Sequence, residues 1–159
     1  MSDKRRHKWL VVVDDTTEVR LALRFAARRA RNVGGRVTLL RVIQPNEEVQ
    51  EHWLSVAEQL REEAREAAEH LLSDIAQQVQ QETGLVPELI IREGNSKEEL
   101  LKLIESDPAI RILVLAAAPG PSGPGPLVTA LAGQMAGNMR VPVTVVPGSL
   151  TNEEIDELT

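Results

Sequence analysis

Two carboxylates, Asp14 and Asp15, follow directly on the apolar run Leu10–Val13, and much later a run of alternating proline and glycine, 119–126, follows the apolar run Ile110–Ala117. Glycine lets a backbone approach a ligand closely and turn several N–H groups toward one anion, so the second stretch suits a phosphate. If both apolar runs are parallel strands, their carboxyl ends meet at the crevice where such sheets bind ligands. A third run, Val37–Ile43, brings Arg41 and Val42 to the same end. A plainer assignment of the same residues is also open. Asp15 or Thr16 caps the next helix, the Pro and Gly loop only reverses the chain, and Pro121, Pro124 and Pro126 remove N–H donors that a phosphate needs.

Other chemistry is poorly represented. Cysteine is absent, which excludes disulfides, thiolate catalysis and cysteine-held zinc. His7, His52 and His70 lack metal-ligand spacing and read as surface residues. Ser122 has neither a G-x-S-x-G elbow nor a histidine partner. The Glu- and Gln-rich stretch from Glu58 to Glu82 reads as a solvated helix face supported by i,i+4 pairs rather than a catalytic carboxylate pair. No catalytic residue is therefore expected, and no metal ligand.

The elements that must hold these residues alternate. Leu10–Val13 reads as a central strand buried on both faces. A helix over about Glu18–Arg31 follows, with Val19, Leu23, Ala26, Ala27 and Ala30 at helical spacing and Gly34 as its stop. After Val37–Ile43, the positions Val49, Trp53, Val56, Leu60, Ala64, Ala67, Leu71 and Ile75 keep helical spacing as far as Gly84. Unbroken, that helix would span on the order of 50 Å, so a break or irregular start is expected before Glu58. Trp53 is expected in core or dimer packing. Leu85–Arg92 is a third strand, and Ser96-Lys97-Glu98-Glu99 has the form of a capping box opening a helix to Ser106 that buries Leu100, Leu103 and Ile104. Ile110–Ala117 is the fourth strand, Leu127–Met139 is weakly helical, and Val141–Val146 is the last strand. Thr151-Asn152-Glu153-Glu154 is a second capping box, starting a short acidic helix whose Ile155 and Leu158 either dock or fray. Alternating buried strands and amphipathic helices define an α/β domain, a parallel sheet covered on both faces by right-handed crossovers.

Composition bounds the function. The 159 residues, 42% hydrophobic, support one core. A formal net charge of -6 and only 2% aromatic residues argue against nucleic acid and against acidic membrane surfaces as partners. The cluster Lys4, Arg5, Arg6 and Lys8 reads as a basic tail over residues 1–8, the domain proper runs 9–148, and 149–159 is an acidic tail or short helix. Trp9–Val13 is too short for a signal-peptide core, so the cytoplasm is the expected compartment.

In this order the motifs resemble the universal stress protein family. Gly120-x2-Gly123-x9-Gly133 matches the spacing of its nucleotide-binding signature, Val11–Thr16 its first strand and turn, Leu39–Val42 its second strand, Gly94-Asn95-Ser96 a turn before a helix, and Pro142–Val146 its last strand. The resemblance covers about Lys8 to Pro147. It implies an open twisted five-stranded parallel sheet with helices on both faces, of the adenine-nucleotide alpha hydrolase-like, Rossmann-like kind. It also implies a homodimer through the last strand and, in some members, ATP or AMP in the crevice, with Mg²⁺. Carried over, Asp14 would contact ribose or adenine, Val42 would line the adenine pocket, and Gly120, Gly123 and Gly133 would cradle phosphates. Gln134 stands where nucleotide-binding members have Ser or Thr, and Asp15 where they have glycine. The function so implied is a dimeric module that binds ATP or AMP to regulate its interactions with a protein partner in the stress response. The alternatives are a nucleotide-independent interaction dimer and a slow nucleotide hydrolase.

Overall fold

The computed structural model describes residues 7–45 and 54–159. Strands β1 (Lys8–Val12), β2 (Arg36–Ile43), β3 (Glu88–Glu93), β4 (Ile110–Ala117) and β5 (Val143–Pro147) form one parallel sheet in the order β3-β2-β1-β4-β5. The helices are α1 (Val19–Val33), α2 (Leu54–Thr83), α3 (Ser96–Ser106) and α4 (Asn152–Leu158), with a π-helical segment at Val128–Gln134 and a 3-10 turn at Ala136–Asn138.

Side chains alternate across each strand, so every run feeds two cores. Val11, Val13 and Leu39 pack against Ala22, Ala26 and Leu72 on the face covered by α1, α2 and α4. Leu10, Leu40 and Leu113 pack against Leu100, Leu103 and Leu131 on the face covered by α3 and the π-helix. Alanines on the inner side of α1 let that helix lie close to the sheet. Gly34 ends it at φ 72°, its N–H reaching back to the carbonyls of Ala30 and Arg31. The predicted burial of Leu100, Leu103 and Ile104 and the span of β4 are as observed.

Several expectations need correction. Lys8, grouped with the basic tail, is the first residue of β1. Its Nζ donates to Glu88 at 3.0 and 3.1 Å and to Asp107 at 2.7 Å. Burial pulls the Lys8 ammonium down, but the hydrogen bonds to Asp107 and Glu88 outweigh it and hold its pKa above the ordinary value. Burial likewise opposes the charged form of Asp107, yet the Lys8 and Ala109 donors hold it below the usual carboxylate value. The cap of α3 is Asn95 rather than Ser96, because the Asn95 side chain, one residue earlier in an extended conformation, already accepts from the Glu98 N–H at 3.1 Å. The last strand begins at Val143 because Pro142 has no N–H to pair. α2 is continuous from Leu54, and the expected irregular start, together with Val49, His52 and Trp53, lies outside the described residues. Arg61 on α2 reaches across to Glu93 at 2.7 Å.

The second capping box forms as predicted, with Thr151 and Glu154 exchanging side-chain and backbone hydrogen bonds. α4 docks on α1. Ile155 is fully buried, and Asp156 makes a two-pronged pair with Arg24 at 2.6 and 2.7 Å. Of the two residues for which docking and fraying were both open, Ile155 docks and Leu158 stays 60% exposed.

Candidate functional site

Strand order reverses between β1 and β4, since β1 leads leftward to β2 and β3 whereas β4 leads rightward to β5. Beyond the carboxyl ends of those strands lies a cleft of about 500 Å³. Its walls are apolar where the strands end, with Val12, Val42 and Leu115, and where the π-helix begins, with Leu127 and Val128. Its mouth is polar, with Asp14, Arg41 and Lys97. An apolar slot with a few convergent polar groups fits a flat, partly hydrophobic ligand carrying a polar tail.

Asp14 is fixed before any ligand arrives. Its Oδ1 accepts from the Thr16 N–H at 2.9 Å and from the Thr16 hydroxyl, an Asx turn that aims the carboxylate from the end of β1. Asp15 does not cap α1. Glu18 occupies the cap position and makes no side-chain capping bond, while both Asp15 oxygens accept from Arg41 Nη2 at 3.1 Å. Sequence reasoning saw Arg41 arrive at this end but missed the pair, which joins residues 26 apart.

Of the residues singled out from the sequence, Asp14 and Val42 line the cleft together. Gly120 and Gly123 lie in the loop after β4 at φ 100° and 91°, where a side chain would be strained although nothing stands within 4 Å of the Cβ position. They set the loop's course but do not line the cleft; Pro124, Gly125 and Pro126 do. Gly125, at φ 106°, is the glycine that the spacing argument overlooked. Gly133 and Gln134 sit exposed at the far end of the π-helix, away from the cleft lining. The loop is tied at its base by the Ala118 N–H donating to Pro124 O at 3.1 Å, so proline contributes an acceptor there while withholding a donor. Gly148 packs the chain after β5 against this base. A Cβ on it would stand 2.6 Å from Ala117 O and 2.8 Å from Pro119 Cδ.

A groove of about 600 Å³ between α1 and α2 shares Asp14 and Thr16 with this cleft and adds Asp15. It is more acidic, being rimmed by the further carboxylates Asp74 and Glu82 against the cations Arg20 and Arg24, of which Arg24 is committed to Asp156. Among the described residues no group of three or more His, Asp or Glu side chains could hold a metal ion, and no helix is long and apolar enough to cross a membrane. His70 pairs with Asp74 on the exposed side of α2, and Ser122 is exposed in the loop.

The model of the universal stress protein family matches residues 5–147. The chain belongs to the universal stress protein family. Its sheet and crossovers are those of the adenine-nucleotide alpha hydrolase-like fold. Among solved universal stress proteins, it is similar to UspA from Lactobacillus plantarum at 20% identity, TM-score 0.74, covering 89% of this chain and 98% of that one. It is similar to the universal stress protein from Archaeoglobus fulgidus in complex with dAMP at 16% identity, TM-score 0.60, covering 87% and 96%. It is also similar to a family protein from Arabidopsis thaliana with AMP bound at 18% identity, TM-score 0.59, covering 89% and 91%. No curated protein matches the chain. In this universal stress protein α4 lies beyond the residues matched by the family model and adds Ile155 to the core.

Proposed function

We propose that this universal stress protein binds an adenine nucleotide, AMP or ATP, in the cleft at the carboxyl ends of β1, β2 and β4. The observation that carries this reading is the meeting of an apolar slot, ending at Val42, with an Asp14 carboxylate already held by Thr16 at the point where strand order reverses. The structures of the Archaeoglobus protein in complex with dAMP and of the Arabidopsis protein with AMP bound support it. In this reading the base lies against Val42, Asp14 accepts from a ribose hydroxyl or the base, and Mg²⁺ arrives only as the counter-ion of the phosphates. The Gly120–Gly125 loop orders over the ligand and changes what a homodimer, paired through β5, presents to a protein partner in the stress response. The protein acts by binding rather than by turnover.

The test is calorimetric titration of nucleotide-stripped protein with AMP and ATP in the presence of Mg²⁺. Micromolar binding is expected, weakened at least tenfold by Gly123→Val, which forces a β-branched residue into a left-handed conformation. No binding up to millimolar nucleotide overturns the reading. It then leaves the nucleotide-independent interaction dimer, which the placement of Gly120, Gly123 and Gly133 outside the cleft lining favours. Sedimentation equilibrium checks the dimer, and a monomer at all concentrations overturns that part.

A further inference from the structure

Arg41 and Asp15 form a pair whose two members live in different surroundings. The Arg41 side chain is 21% exposed, whereas that of Asp15 is 83% exposed. Alternation along β2 sends Leu40 and Val42 to the α3 side of the sheet and Leu39 to the α1 and α2 side, so Arg41 leaves the strand on the latter. There it lines a hollow of about 640 Å³ floored by Ala64, Ala67, Ala68 and Leu71 of α2, and Arg41 also lines the cleft at the carboxyl ends of the strands. Its only recorded partners among the described residues are Asp15, through Nη2, and the Val13 carbonyl, to which Nη1 donates at 3.3 Å.

This asymmetry decides which group can leave. Asp15 can turn into water at little cost, because solvent takes up its charge and an exposed pair contributes little. Arg41 cannot follow it, and a largely buried cation left without an anion is costly. A phosphoryl group offers the planar guanidinium two oxygens at the spacing a carboxylate does, with more charge. We propose that Arg41 is an oxyanion-binding residue whose place is kept by Asp15, and that a phosphoryl oxyanion displaces Asp15 to bind it. The oxyanion is free phosphate entering from the α2 side or the phosphate of a nucleotide in the adjoining cleft. Only the second of these sources rests on the nucleotide reading.

The experiment follows the Arg41 Nε–H correlation in ¹⁵N-labelled protein during titration with inorganic phosphate at constant ionic strength. In parallel, AMP and adenosine are titrated calorimetrically. Both are repeated with Asp15→Asn, which keeps the shape of an exposed side chain, and with Arg41→Gln. Displacement predicts that Asp15→Asn tightens phosphate, or AMP relative to adenosine, by about fivefold, the size of a modest ion pair. Arg41→Gln is expected to abolish that gain. Tightening of phosphate alone identifies the free ion as the ligand, and tightening of AMP over adenosine identifies the nucleotide. Unchanged phosphate affinity together with an unchanged ratio of AMP to adenosine in Asp15→Asn overturns the proposal while leaving nucleotide binding intact. An Arg41 signal that does not respond to either ligand overturns it as well. Failure of adenosine and AMP alike to bind any variant, with phosphate still tightened by Asp15→Asn, instead removes the nucleotide reading and retains Arg41.

Discussion

At the amino ends of the strands Lys8 is held by two carboxylates from different elements, Glu88 on β3 and Asp107 after α3, with its side chain 12% exposed. At the carboxyl ends Arg41 is held by one carboxylate that is itself in water. The first arrangement is closed further by Arg140, whose guanidinium donates to the carbonyls of Ile104, Asp107 and Ile110, and by buried Thr38, which donates to Glu88. The second is flanked by a loop with three glycines at positive φ. One end of the sheet has its polar groups satisfied within the chain, and the other leaves room for a ligand to satisfy them. The fold thus separates an end whose charges are enclosed by the chain from one whose charges face solvent.

The largest effect is expected where the loop at the carboxyl end is anchored. Gly148→Val places a side chain against Ala117 O and Pro119, contacts that only a backbone shift relieves. It is expected to cost about 3 kcal/mol in urea unfolding and to weaken AMP binding through the displaced loop base. A variant of native stability with normal affinity would show that the loop is not anchored there. Next comes Lys8→Met, which strands Glu88 and Asp107 without their cation. A loss of about 2 kcal/mol is expected, with AMP affinity unchanged. A change in affinity would show that the two ends are coupled, contrary to the separation drawn above.

The smallest effect is in the pH profile. Asp107 has its folded pKa below the ordinary 3.8, so the stability it contributes is present above that value and is lost as pH falls through the folded one. Lys8 has its folded pKa above the ordinary 10.5, so its contribution is present below 10.5 and is lost as pH rises through the raised value. Urea midpoints of the native protein should therefore decline outside the window from 3.8 to 10.5, and part of that decline should vanish in Lys8→Met. Identical acid and alkaline limbs in both proteins would remove the network as their cause.

The order of strands and helices was legible because Ile110–Ala117, broken only by Arg111, and Val37–Ile43, broken only by Thr38 and Arg41, are otherwise apolar runs and α1 repeats alanine at helical spacing. The Thr151 capping box was legible because all its parts lie within four residues. Lys8 was misread because its partners are 80 and 99 residues away, and no local pattern announces an ion pair across the sheet. Asp14 and Val42 could be placed as strand-end residues without knowing any contact. The Asp15 pair and the role of Gly125 depend on how loops fold over that end, which spacing does not encode.

The π-helix beside the cleft gives this part of the chain a property of its own. Each of its turns holds one residue more than an α-helical turn, as the Met135 N–H bonding back to Ala130 O shows. The segment from Val128 to Gln134 therefore carries a surplus residue relative to a regular helix, while Leu131 alone among its residues is buried. A residue inserted within β4 or β5 would turn the side chains beyond it to the opposite face. Removing one residue there would convert the wall of the cleft to a regular helical turn, while the sheet beneath it keeps its register.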